Sequence, residues 1–115
     1  MDLAVTPHGA DGPVVVTIAG EVDVYTAPLL REALDREIAA GHVRLVVDLE
    51  RVDFIDSTGL GVLVGRLKSV RNGSGWLRIV CTKERVLKVF HLTGLDKVFR
   101  IVDTVEAATA PPPAS

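Results

Sequence analysis

The stretch VRLVVDLERVDFIDSTGLGVLVGRL, residues 43–67, decides the fold. Its first part, Val43 to Leu49, is almost continuously apolar and carries Asp48 near its end. Such a run suits a strand buried on both faces. Arg51 to Ile55 then leads into Asp56-Ser57-Thr58-Gly59. From there Leu60, Leu63, Val64 and Leu67 recur at i, i+3, i+4 and i+7, the spacing of an amphipathic helix. Asn72-Gly73-Ser74-Gly75 ends that helix, and Trp76 to Cys81, with Leu77, Ile79 and Val80, forms the next strand. Strand 43–49, helix 58–71 and strand 76–81 make one βαβ unit, so the two strands should be parallel with a right-handed crossover.

Working outward on the N-terminal side, Val14 to Ile18 is rich in β-branched residues and reads as a strand ended by Gly20. Leu3 to Thr6 reads as a short edge strand that pairs antiparallel with it through a turn over His8–Pro13. Gly20 to Tyr25 is a loop with two carboxylates, Glu21 and Asp23. Thr26 is placed to cap a helix with Pro28 in its first turn, with Leu30, Ala33, Leu34 and Ile38 on one face and Gly41 as its stop. On the C-terminal side, Thr82 is placed to cap a helix carrying Val86, Leu87, Val89 and Phe90, stopped by Gly94. Val98 to Val102 reads as a last short strand. The expectation is one α/β domain over residues 1–106, a mixed sheet of four to five strands packed against helices. Residues 107–115, rich in Ala and Pro, read as a disordered tail.

The bulk numbers narrow the function. A chain of 115 residues fits one domain, and 48% apolar residues is enough for a true core. Thirteen basic against fifteen acidic side chains gives a net charge of -2, which argues against direct nucleic-acid binding. No apolar run is long enough to cross a bilayer, so no membrane association is expected. With Asp2 directly after Met1, no secretory leader is expected, and Cys81 as the only cysteine fits a reducing, cytoplasmic setting. No metal-ligand cluster and no Walker-type loop is visible, so no metal and no cofactor are expected.

Ser57 draws attention because it falls where a buried strand gives way to a helix. Unpaired backbone N–H groups and the helix dipole there favour an anion, a phosphate in particular. Three readings compete. Ser57 caps the helix; or it accepts a phosphate; or it is a nucleophile in a hydrolase elbow. The elbow wants Gly-x-Ser-x-Gly, and Ile55 stands where the first Gly should be. None of His8, His42 and His91 is placed as a base, so no catalytic residue is expected.

The string Val46-Val47-Asp48-Leu49, then Val52-Asp53-Phe54-Ile55-Asp56-Ser57-Thr58-Gly59-Leu60-Gly61, resembles the signature of the anti-sigma factor antagonists, bacterial STAS-domain proteins. Gly20-Glu21-Val22-Asp23 with Thr26-Ala27-Pro28 is similar to the family's first loop and helix start, and Val89-Phe90 with Thr93-Gly94-Leu95 to its last helix and turn. The resemblance spans residues 3–105. It implies a STAS fold and a partner switch: the unphosphorylated protein binds an anti-sigma factor that is also a serine kinase, and the sigma factor is released. The kinase then phosphorylates Ser57, the complex parts, and a separate serine phosphatase resets the switch. The implied binding residues are Asp23, Asp56, Ser57, Thr58, Gly59 and Gly61. A sensor or scaffold STAS module and a weak nucleotide-binding module are the competing roles.

Among these, Asp56 either orients the Ser57 hydroxyl or caps the helix. Gly61 reads as a docking surface and Gly65 as close helix-to-sheet packing. Arg66, Lys68 and Arg71 form a basic run that reads as a solvated face. Cys81 reads as core.

Overall fold

The β-branched runs assemble as five strands in the order β1-β2-β3-β4-β5. The computed structural model describes residues 1–7 and 12–110. Along the chain lie β1 (Asp2–Pro7), β2 (Val14–Val22), α1 (Ala27–Ala39), β3 (Arg44–Ile55), α2 (Ser57–Asn72), β4 (Trp76–Val80), α3 (Glu84–Leu92), a 3-10 turn (Leu95–Lys97), β5 (Arg100–Val102) and α4 (Val105–Thr109). β1 is antiparallel to β2. β2, β3, β4 and β5 are mutually parallel. The mixed α/β sheet, the antiparallel first pair and the parallel strands flanking α2 match the expectation. The turn expected over His8–Pro13 falls mostly outside the described residues.

Period-two alternation sorts the strand side chains between two faces. Val14, Val16 and Ile18 of β2 join Leu45, Val47 and Leu49 of β3 in the main core, under Leu30 and Leu34 of α1, Leu60, Leu63 and Leu67 of α2, and Phe90 of α3. Phe90 meets Phe99 edge to face, with ring centroids 5.9 Å apart. The neighbouring residues Val15, Val46 and Val80 point the other way and pack against Ala108 of α4. Cys81 is buried in the main core, and burial pushes its thiol pKa up.

Four expectations need correcting. Gly20 does not end β2. It takes φ 98°, which a side chain would resist, and lets the strand bend and run on to Val22 with shifts in register on either side. That extension gives Arg51 to Ile55 pairing partners, so β3 runs through to Ile55 rather than stopping at Leu49. Thr82 caps no helix. Its N–H and hydroxyl bond the Glu50 carboxylate at 2.7 and 2.9 Å, and Lys83 holds the N-cap position of α3. Finally, the tail does not begin at residue 107. Thr104 caps α4 by accepting from the N–H of Ala107, and Ala108 is fully buried. Arg78 then donates to the carbonyls of Ala108 and Ala110 at 2.9 and 3.1 Å, with its guanidinium 3.8 Å over the Trp76 ring. The burial that this requires lowers the Arg78 pKa, and the nearby charge of Arg100 adds to the effect. Residues 111–115 of the expected tail lie outside the described residues.

Candidate functional site

β2 and β3 end together. Val22 pairs with Ile55, and the Asp56 N–H donates to the Val22 carbonyl at 3.1 Å. The turn leaving β2 and the helix start leaving β3 therefore lie side by side at the C-terminal ends of parallel strands, where α/β sheets commonly place their working residues.

At the end of β3, Asp56 adopts extended backbone and is the N-cap of α2. Its Oδ1 accepts from the N–H groups of Thr58 and Gly59 at 2.9 and 3.2 Å. Two of the four donors that a helix start leaves over are thereby satisfied. This resolves the Asp56 alternatives in favour of capping. It also corrects the capping reading of Ser57, which is the first residue inside α2. Ser57 is exposed, and its hydroxyl has no hydrogen-bond partner among the described residues. Thr58 beside it is also exposed.

Gly59 differs from its neighbours. It is buried, and a Cβ there would sit 2.6 Å from Cγ1 of Val22 and 2.9 Å from Cγ1 of Ile55. Its missing side chain brings the first turn of α2 down onto the strand ends. Gly61 faces open solvent, and a Cβ on it would meet nothing within 4 Å. The same holds for the Cβ space at Gly65, so the close-packing role expected of Gly65 is not what the structure has.

In the adjacent turn, Asp23 is occupied locally. Its Oδ1 accepts from the N–H groups of Tyr25 and Thr26 at 2.9 and 3.0 Å. The Thr26 hydroxyl donates to the Glu21 carbonyl at 2.9 Å and accepts from the Asp23 N–H at 2.9 Å. Thr26 thus stands at the N-cap position of α1 but makes no side-chain cap bond; its oxygen closes the turn instead. The Thr26 N–H foremost holds the Asp23 carboxyl below its ordinary pKa; desolvation opposes it, and the Tyr25 N–H and the Thr26 hydroxyl add to the lowering.

Sequence reading missed the apolar side chains around these turns. Tyr25 is 86% exposed, Val24 57% and Phe54 45%. The signal was present as Val24-Tyr25 between two polar turn residues, and as Phe54 directly before buried Ile55. Arg66 leaves the expected basic face: it turns into the α1–α2 contact and pairs with Asp35 at 3.3 Å. Of the histidines, His42 pairs with Glu37 and His91 with Asp96, each near the surface; His8 lies outside the described residues. No helix among the described residues is long and apolar enough to cross a membrane.

The domain defined by this sheet and by the Asp56–Gly61 helix start matches the family model described as STAS domain over residues 4–108. The anti-sigma-B factor antagonist of Bacillus subtilis (strain 168) is 40% identical over 101 residues, covering 88% of this chain and 92% of the relative. The anti-sigma-B factor antagonist of Listeria monocytogenes (serovar 1/2a) is 40% identical over 86 residues, 75% of each chain. Among solved structures, an anti-sigma factor antagonist from Mycobacterium paratuberculosis superposes with a TM-score of 0.81 at 33% identity, covering 93% of this chain and 91% of its own. The chain belongs to the STAS domain family, among the bacterial anti-sigma factor antagonists.

Proposed function

We propose that this anti-sigma factor antagonist is switched at Ser57. In the unphosphorylated state it binds, in the cytoplasm, an anti-sigma factor that is also a serine kinase, and the sigma factor is released. The kinase holds ATP and moves its γ-phosphoryl group to Ser57 Oγ, with loss of the hydroxyl proton. The complex then parts, and a serine phosphatase restores the hydroxyl. The protein contributes the acceptor and the docking surface, and no catalysis of its own.

The observation that carries this reading is the division of labour at the start of α2. Asp56 does the capping, so the Ser57 hydroxyl is exposed and without a partner among the described residues. A phosphate there adds about -1.5 to -2 charges. Within the isolated domain the helix dipole offsets part of that charge, by about 0.3–1 kcal/mol at an exposed terminus. Against a docked partner the same charge lies beside the Asp56 and Asp23 carboxylates and the apolar rim of Val24, Tyr25 and Phe54. Burying it there is opposed by like charge and by desolvation. Asp23, Asp56, Thr58 and exposed Gly61 are the docking residues we assign around Ser57; Gly59 supports them from below.

The test mixes the protein with candidate anti-sigma kinases and ATP, maps phosphate by mass spectrometry, and titrates variants against the partner. Phosphate should appear on Ser57 alone. Ser57→Ala should bind the partner but take no phosphate. Ser57→Asp should bind at least about tenfold more weakly, or about 1.4 kcal/mol. Phosphate on another residue, or wild-type affinity in Ser57→Asp, would overturn the proposal.

A further inference from the structure

The β1 edge of the sheet carries a second surface. β1 is an edge strand, so one row of its backbone N–H and C=O groups has no partner strand. Edge strands are commonly blunted by lysine, proline or a bulge within the strand. β1 has none of these in its middle: Leu3, Ala4, Val5 and Thr6 are uncharged, and the strand pairs with β2 in unbroken register. Beside it, an open groove of about 290 Å³ runs between β1 and α1, lined by Leu3, Val5, Leu29, Glu32, Ala33 and Arg36. Val5 is 42% exposed and Leu29 50%.

The charges of the groove indicate what covers it. Glu32 and Arg36 are its only charged residues among the described ones, spaced one helical turn apart on α1 and paired with each other at 3.5 Å. Both are largely exposed, so the pair can be exchanged at little cost. A two-fold axis at the β1 edge sets two copies of α1 antiparallel, and level with Leu34 such an axis would bring Glu32 of each copy opposite Arg36 of the other. On the strand the same axis, passing through Ala4, sets Leu3 opposite Val5 and Asp2 opposite Thr6, with no like charges facing. A pattern that complements itself under a two-fold rotation is what an isologous contact needs. We infer that β1 pairs antiparallel with β1 of a second copy of this chain, continuing the sheet across the dimer and closing the β1–α1 groove with Val5, Leu29 and exchanged Glu32–Arg36 pairs. None of Asp23, Asp56 and Ser57 belongs to this edge, so the inference stands apart from the switch.

Sedimentation velocity on the wild-type chain from about 1 µM to about 1 mM, the range separating stable from weak association, should show a monomer–dimer equilibrium. Val5→Lys, which places a charge on the edge, should weaken the dimer at least about tenfold. Arg36→Glu should do the same by setting like charges opposite each other. The exchanged pair, Glu32→Arg with Arg36→Glu, should recover an affinity within about threefold of wild type, because it restores opposite charges across the axis. Circular dichroism checks that each surface variant is folded. A monomer throughout would overturn the inference and leave the edge to an extended peptide from another protein. A dimer insensitive to Val5→Lys, or one that the exchanged pair fails to recover, would overturn it as well.

Discussion

Two helix starts sit next to each other where β2 and β3 leave the sheet, and each contains an aspartate and a hydroxyl. In the turn before α1, Asp23 and Thr26 use up one another. The carboxylate accepts two backbone N–H groups, and the hydroxyl is tied at both its donor and acceptor sides. At the start of α2, Asp56 alone satisfies the two N–H groups, and the hydroxyl of Ser57 is left over. The difference is one of order along the chain. The aspartate before α2 is the cap itself, whereas the one before α1 lies three residues upstream of the cap position. One hydroxyl is structural for that reason, and the other is free to be modified without dismantling the turn.

The contrast can be broken most severely from below. Gly59→Ala would drive its Cβ into Val22 and Ile55, at 2.6 and 2.9 Å, both held in the core. The expected loss is about 1–3 kcal/mol of overpacking, read as a lower midpoint in urea denaturation. Gly61→Ala, two residues on and facing open space, should not destabilise; replacing an exposed helical glycine gains up to about 1 kcal/mol. An equal gain in both variants would show that helix propensity, not the Val22–Ile55 contact, governs this turn.

A smaller effect separates the two hydroxyls. Thr26→Val removes a hydroxyl bonded on both sides and should cost about 1–2 kcal/mol, measured by the same denaturation. Ser57→Ala should change stability by no more than about 0.5 kcal/mol, the usual range for a surface site without partners. Similar losses in the two would erase the distinction drawn here.

The smallest expected effect is in acid. The Asp23 carboxyl is held below its ordinary value in the folded turn. A depressed folded pKa means that its contribution is complete above the unfolded value, near about 3.9, and is lost as the pH falls through the folded value. NMR titration should give a midpoint for Asp23 below that unfolded value, with the amides of Tyr25 and Thr26 shifting in step. A midpoint at or above it would remove the carboxylate from the account of the turn.

Much of this was legible in the residues. The apolar run before Asp56 and the four-residue spacing after it gave β3, α2 and their parallel partner, because burial on both faces leaves a strong pattern. Ser57 at the strand-to-helix junction was legible for the same reason. The lengths of β2 and β3 were not. A glycine in a strand reads as a stop, and only the paired strand shows that Gly20 bends instead. Which side chain caps was equally hidden. Asp56, Ser57 and Thr58 are all good candidates, and backbone geometry chooses among them. α4 was missed because five residues of Val, Glu, Ala and Thr carry too little periodicity to announce a helix; its place depends on Arg78, thirty positions away from the Ala108 carbonyl that it holds.

That Arg78 contact has an optical consequence. Trp76 is the chain's only tryptophan, and the guanidinium lying over its indole is the same one that grips the end of α4. The protein therefore carries a native fluorophore wired to one joint. Trp76 emission should report on the seating of its last helix, on the sheet face turned away from the α1–α2 layer, and should be unchanged by a substitution at Ser57, at the far end of the strands.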